Sequence, residues 1–172
     1  EPFAVARFVS WTAGHDRGHA GFGVEQQEEA VRRLSRHLRV FVSAERGIPT
    51  SLESSALKLE PHLIHHVLAQ ASLVIGDGAT MATEAGLLGT PSLYVSSLVG
   101  TMGNFQVLQR AGLVESFPLV APALDRAEAL LGDPAAGPAW RARAREFAQG
   151  HIDVVDFVVN EATAAAAKGR GN

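Results

Sequence analysis

Short apolar runs rich in β-branched and aromatic residues alternate with amphipathic stretches along most of this 172-residue chain, and that alternation restricts its fold more than any other feature. Phe3 to Val9 is apolar apart from Arg7 and leads into Ser10-Trp11-Thr12-Ala13-Gly14, which predicts a buried strand ending in a loop. From Val24 onward Ala30, Val31, Leu34 and Leu38 recur at helical spacing among Glu, Gln and Arg, so one face packs and the other is wet. Val40-Phe41-Val42 follows as a second strand. Strand, helix and strand within about 40 residues make a βαβ unit, with parallel strands and a right-handed crossover.

The same rhythm continues with a short strand at Ala56–Leu59, a helix opened by Pro61 and reaching Ala71, and a strand at Ser72–Gly76. A helix from about Ala79 to Leu88 is stopped by Gly89-Thr90-Pro91, and Ser92–Val95 is the next strand. A helix near Asn104–Ala111 leads to a last strand around Val114–Phe117. The expected class is α/β: a doubly wound, Rossmann-like, mainly parallel sheet of six strands covered by helices on both faces. Beyond Pro122 only helices are expected, at Ala123–Leu131, Pro138–Gln149 and Ile152 to about Ala167. The chain reads as one domain over 1–172, with an α/β core to about residue 120 and a helical extension over 121–167. In the last helix Ile152, Val155, Val158, Val159 and Ala162 share one face, and that stripe either covers this domain's own sheet or packs on another domain. Arg141, Arg143 and Arg145 are spread round their helix and read as solvated surface.

A net charge of -3 offers no general attraction to nucleic acid or anionic membrane, so any anion must be held by a local site. No apolar run approaches the roughly 18 residues of a membrane span. The absence of cysteine excludes disulfides and thiolate metal ligands and fits a reducing compartment, so the cytoplasm is the expected location. The start at Glu1-Pro2 suggests a chain cut from something longer.

In open α/β sheets ligands bind outside the carboxyl ends of the strands, and the strand ending Val74-Ile75-Gly76 delivers Asp77-Gly78-Ala79-Thr80 to that edge. The helix that follows presents free N–H groups and the positive end of its dipole, which can hold a diphosphate without Lys or Arg. Thr80 adds a hydroxyl, and Glu84, one turn later, can accept two hydrogen bonds from a ribose diol. Against this stands a plain structural alternative, in which Asp77 caps the helix, the glycines make a βα turn and Glu84 is solvated.

The stretch Gly76-Asp77-Gly78-Ala79-Thr80-Met81-Ala82-Thr83-Glu84-Ala85-Gly86-Leu87-Leu88-Gly89-Thr90-Pro91 resembles the donor-site segment of GT-B glycosyltransferases and of non-hydrolysing UDP-N-acetylglucosamine 2-epimerases. In those families a small-residue turn binds the diphosphate and a Glu one turn later binds the ribose. A nearer resemblance is to a glycosyltransferase-like family of archaeal and bacterial proteins, at Arg7-Phe8-Val9-Ser10-Trp11, His15-Asp16, Gly18-His19, Thr80-Met81 and Glu84-Ala85. Gly78-Ala79 departs from a more polar pair, and His15-Asp16-Arg17-Gly18-His19 only loosely echoes the epimerases' His-Arg-x-Glu-Asn motif. The resemblance implies the C-terminal, nucleotide-sugar-binding half of a two-domain protein whose N-terminal partner domain this chain lacks, and which is inactive alone. A UDP-sugar is then substrate rather than cofactor, held by Gly76, Asp77, Gly78, Ala79, Thr80 and Glu84. A 2-epimerase-like isomerase and a non-catalytic nucleotide-sugar-binding module are the alternatives.

The long Gly-containing loop from Ser10 to Gly23 lies at the same sheet edge and carries four polar candidates. Arg17 can face the diphosphate, His15 or His19 can serve as general acid or base, and Asp16 can orient them. The other possibility is a polar loop with incidental histidines. His15 and His19 would share a face only in a helix, so no metal site is expected. His65 and His66 lie near where a UDP base packs in the resembling families, or are simple exposed helix residues.

Overall fold

The computed structural model describes residues 1–9, 21–45, 47–97 and 103–169. Five parallel strands, β1 (Phe3–Phe8), β2 (Arg39–Ala44), β3 (Leu73–Gly76), β4 (Ser92–Val95) and β5 (Glu115–Phe117), form one sheet in the order β2-β1-β3-β4-β5. Crossovers run through α1 (Val24–Leu34), α2 (Ile64–Gln70), α3 (Ala79–Leu87) and α4 (Gly103–Arg110). Three further helices follow the sheet: α5 (Val120–Leu131), α6 (Ala136–Gln149) and α7 (Val154–Gly169).

The period-2 alternation of a strand decides which helix each face receives. Ala4, Ala6 and Phe8 of β1, with Leu73, Ile75, Leu93 and Val95, pack on Val31 and Leu34 of α1 and on Leu124 and Ala127 of α5. Val5 and Val74 point the other way, onto Leu68 of α2 and Ala85 of α3, and Tyr94 joins Phe105 and Leu108 of α4. β3 and β4 are buried at every position, as a strand covered on both faces must be. The chain steps from β1 outward to β2, then crosses back to β3 on the other side of β1. That reversal makes a topological switch point between β1 and β3, where the carboxyl ends of neighbouring strands splay and leave a crevice.

Three expectations need correction. There are five strands, not six: Ala56 makes a single parallel bridge to Val42 and the Leu57 N–H donates to the Val42 carbonyl at 2.7 Å. Flanked by a 3₁₀ helix at Thr50–Ser55 and another at Pro61–Leu63, that segment leaves the edge after one contact, with no buried residue over 56–59 to hold it. Pro122 does not precede α5 but sits inside its first turn, where a missing N–H costs nothing. Arg143 is not simply solvated. Its Nε donates to the Gly112 carbonyl at 2.8 Å and its guanidinium lies 4.3 Å from the Trp140 ring, while Trp140 Nε1 donates to the Leu113 carbonyl.

Arg33 joins α1 to α5 through Glu128 (2.5 Å) and Asp125 (2.7 Å), with its own side chain mostly buried. The hydrogen bonds that Glu128 accepts from Arg33 hold its carboxyl below the ordinary glutamate range. A depressed carboxyl pKa adds stability above the unfolded value and loses it as the pH falls through the folded value. In urea unfolding, the stability gap between wild type and Arg33→Met should therefore narrow as the pH drops below the ordinary glutamate range. A gap constant across that window would contradict the assignment.

Candidate functional site

At the β1/β3 switch point the two backbones approach closely. A β-carbon at Gly76 would lie 2.0 Å from the Arg7 carbonyl oxygen, and one at Gly78 would lie 2.7 Å from Arg7 Cγ. The first contact is with backbone that cannot swing aside, so glycine is the residue that fits at 76. The Asp77 N–H donates to that same Arg7 carbonyl at 3.1 Å and extends the ladder past the end of β3.

Asp77 is buried, and it does not cap the helix that follows. Its Oδ1 accepts the Val9 N–H at 2.8 Å and its Oδ2 accepts the Phe22 N–H at 3.0 Å. The N-cap of α3 is Gly78, with extended backbone and no side-chain cap among the described residues. The first-turn N–H groups of α3 are thus available to a ligand, with the positive end of the helix dipole behind them.

These N–H groups open on a cleft of about 220 Å³. Arg7 and Val9 form its β1 wall, Glu45 closes it from beyond β2, and Gly78 to Met81 with Glu84 form the α3 wall. Thr80 is exposed and Glu84 half-buried, so a hydroxyl and a carboxylate one turn apart face the same space. His65 of α2 brings Nε2 to 3.4 Å from Glu84 Oε1, which puts an imidazole beside the carboxylate. His66 is exposed and lines no part of the cleft. A larger cleft of about 500 Å³ lies among Phe3, Arg39, Phe41 and Leu57, at the amino ends of β1 and β2. It is on the wrong edge of the sheet for the α3 terminus.

Gly76, Asp77, Gly78, Ala79, Thr80 and Glu84 are therefore gathered at one edge, with Asp77 engaged by backbone amides. His15, Asp16, Arg17 and His19 lie outside the described residues. Arg7, which the sequence places within the Arg7–Trp11 resemblance, was not among the expected site residues. It reads as an interruption in an apolar strand, yet it falls where β1 emerges into the cleft, and its guanidinium donates to Ser43 Oγ and Glu45 Oε1, both at 2.9 Å. A cation at the carboxyl end of an otherwise buried strand was the available signal.

No protein-family model matches the chain, and no curated protein matches it. Among solved structures it is similar to the spinosyn rhamnosyltransferase SpnG complexed with spinosyn aglycone, with TM-score 0.57 and 16% identity over 86% of this chain and 42% of that one. It is similar to the spinosyn forosaminyltransferase SpnP, with TM-score 0.57 and 17% identity over 92% and 43%. A protein from Listeria monocytogenes described as a UDP-N-acetylglucosamine 2-epimerase matches with TM-score 0.57 and 14% identity over 83% and 40%. At these identities the likeness is one of fold: the chain has the Rossmann-like α/β architecture of one half of a GT-B protein. It spans about two fifths of the length of each of these structures.

The close approach at the switch point is open to direct test. Gly76→Ala forces a methyl against the Arg7 carbonyl and should lower stability by about 3 kcal/mol, the upper part of the range for overpacking. Urea unfolding measures it, and a loss below about 0.5 kcal/mol, the level of an ordinary surface substitution, would show that the two strands do not close as described.

Proposed function

We propose that this domain binds the nucleotide end of a nucleoside-diphosphate sugar, a UDP-sugar, within a glycosyltransferase-like enzyme. The observation that carries the proposal is the uncapped start of α3 at the β1/β3 switch point, with Glu84 one turn along the same wall. The diphosphate meets the N–H groups of Ala79 and Thr80 and the Thr80 hydroxyl, which supply donors without a mobile cation. The Glu84 carboxylate accepts hydrogen bonds from the ribose diol. It would repel phosphate, so the nucleotide must run from the α3 terminus toward Glu84 and not the reverse. The fold shared with sugar transferases and with an epimerase supports this reading.

The cleft bounded by described residues, about 220 Å³, is smaller than the roughly 300 Å³ at which ligand sites begin, and in this reading it is one wall of the donor site. The sugar and its acceptor need a second wall. α7 bears on where that comes from. Ile152, Val154, Val155, Phe157, Val158 and Val159 are all more than half exposed, so the stripe does not cover this domain's own sheet. An isolated helix of this length is marginal in water, and its apolar face needs a partner. We assign that face to a companion domain of the same polypeptide, since the structural neighbours are more than twice as long as the region they share with this chain.

Calorimetric titration with UDP tests the nucleotide assignment. Wild type should bind, and Glu84→Ala should bind about tenfold to a hundredfold more weakly, the cost of hydrogen bonds to a charged group. No binding by wild type, or equal binding by the variant, would overturn it. Hydrogen exchange tests the α7 assignment. The amides over 154–166 should exchange freely in the 172-residue chain and be protected in a polypeptide that includes the companion domain. Equal exchange in the two, or concentration-dependent self-association that protects α7 in the 172-residue chain, would contradict it.

A further inference from the structure

One buried side chain holds three parts of the switch point together. Asp77 belongs to the turn between β3 and α3, immediately before the N-cap Gly78. Its two carboxylate oxygens take amides that stand thirteen positions apart in sequence, Val9 just past β1 and Phe22 just before Gly23, the N-cap of α1. Phe22 is itself buried and packs against Phe8 of β1 with ring centroids 5.1 Å apart and the rings tilted by 53°, so the second anchor is set into the core. Asp77 also donates its own N–H to the Arg7 carbonyl. Val9 and Phe22 are thus both tied to the residue next to the turn that opens the cleft.

An ionised carboxylate suits this task because it is acceptor-only, and each oxygen can serve a different amide. No other side chain of this size has two acceptors and no donor. Gly78 carries no side chain of its own, and a β-carbon there would meet Arg7 and Val9. We infer that Asp77 is a positioning residue of the nucleotide site: by clamping the Val9 and Phe22 amides to the phosphate turn, it ties the placement of Gly78 to Thr80 to that of Val9 and Phe22. The inference rests on the nucleotide-binding reading given above. Without the clamp the turn occupies its binding-competent arrangement for only a fraction of the time, and apparent affinity falls by that fraction. Coupling of this kind is reciprocal, so a ligand at the turn must also tighten the clamp.

Asp77→Asn keeps the shape of the side chain but leaves one oxygen, and sets an NH₂ group against the second backbone N–H. In the 172-residue chain with UDP as the probe, the folded variant should show a Kd raised about tenfold or more. In the wild type, saturating UDP should slow amide exchange at Val9 and Phe22 as well as at Gly78 to Met81, a response that a merely structural residue would not give. The wild-type exchange measurement decides the matter if the variant does not fold. Unchanged UDP affinity in folded Asp77→Asn, or Val9 and Phe22 exchange indifferent to UDP, would overturn the inference while leaving the nucleotide reading intact. Failure of the wild type to bind UDP at all would overturn both, and is a distinct result.

Discussion

Between β1 and β3 the two backbones close until the Arg7 carbonyl fills the space that a β-carbon at Gly76 would need. Because β1 pairs with β2 on one edge and β3 on the other, this seam sets where the chain reverses direction across the sheet. Everything in the candidate site is placed by it. The same Arg7 carbonyl receives the Asp77 N–H, the Arg7 stem covers Gly78, and α3 starts directly above the seam with its first N–H groups uncapped. The two apolar layers then lock the geometry from either face, through Ala4, Ala6 and Phe8 on one side and Val5 on the other.

The same arrangement sets the form of the cleft among the described residues. A strand edge and a helix terminus make a ledge with donors on it, and Thr80 and Glu84 extend that ledge along one turn of helix. Such a surface can recognise a diphosphate and a diol, which are small and rich in hydrogen-bonding groups. The apolar residues of α7, from Val154 to Val159, are a separate exposed surface of the same chain.

Much of the fold was legible because its signals are local. Helices α1 and α3 and strands β3 and β4 declare themselves by spacing, by Gly89-Thr90-Pro91 as a stop and by continuous apolar runs. The segment at Ala56–Leu59 misled because a short apolar run looks the same whether it joins an edge or touches it once. Arg143 misled for a related reason: its partners, Trp140 and the Gly112 carbonyl, are brought to it by tertiary packing that helical spacing does not encode. In the site, the turn at Gly76 to Thr80 and the offset to Glu84 were visible as a strand-to-helix junction. The role of Asp77 was not, because the Val9 and Phe22 amides that its carboxylate accepts lie more than fifty residues away in sequence. Arg7 was hidden in the same manner, since only the pairing of β1 with its neighbours shows that its position opens onto a cleft.

The proposed nucleotide site lies at the start of α3, on the β1/β3 seam. Nitrogen-15 amide spectra of the 172-residue chain, recorded as UDP is added, map that location residue by residue. The account requires the largest shifts at Gly78 to Met81, with smaller ones at Glu84 and at the Val9 and Phe22 amides. Shifts centred instead on Phe3, Arg39 and Phe41, at the opposite edge of the sheet, would contradict it.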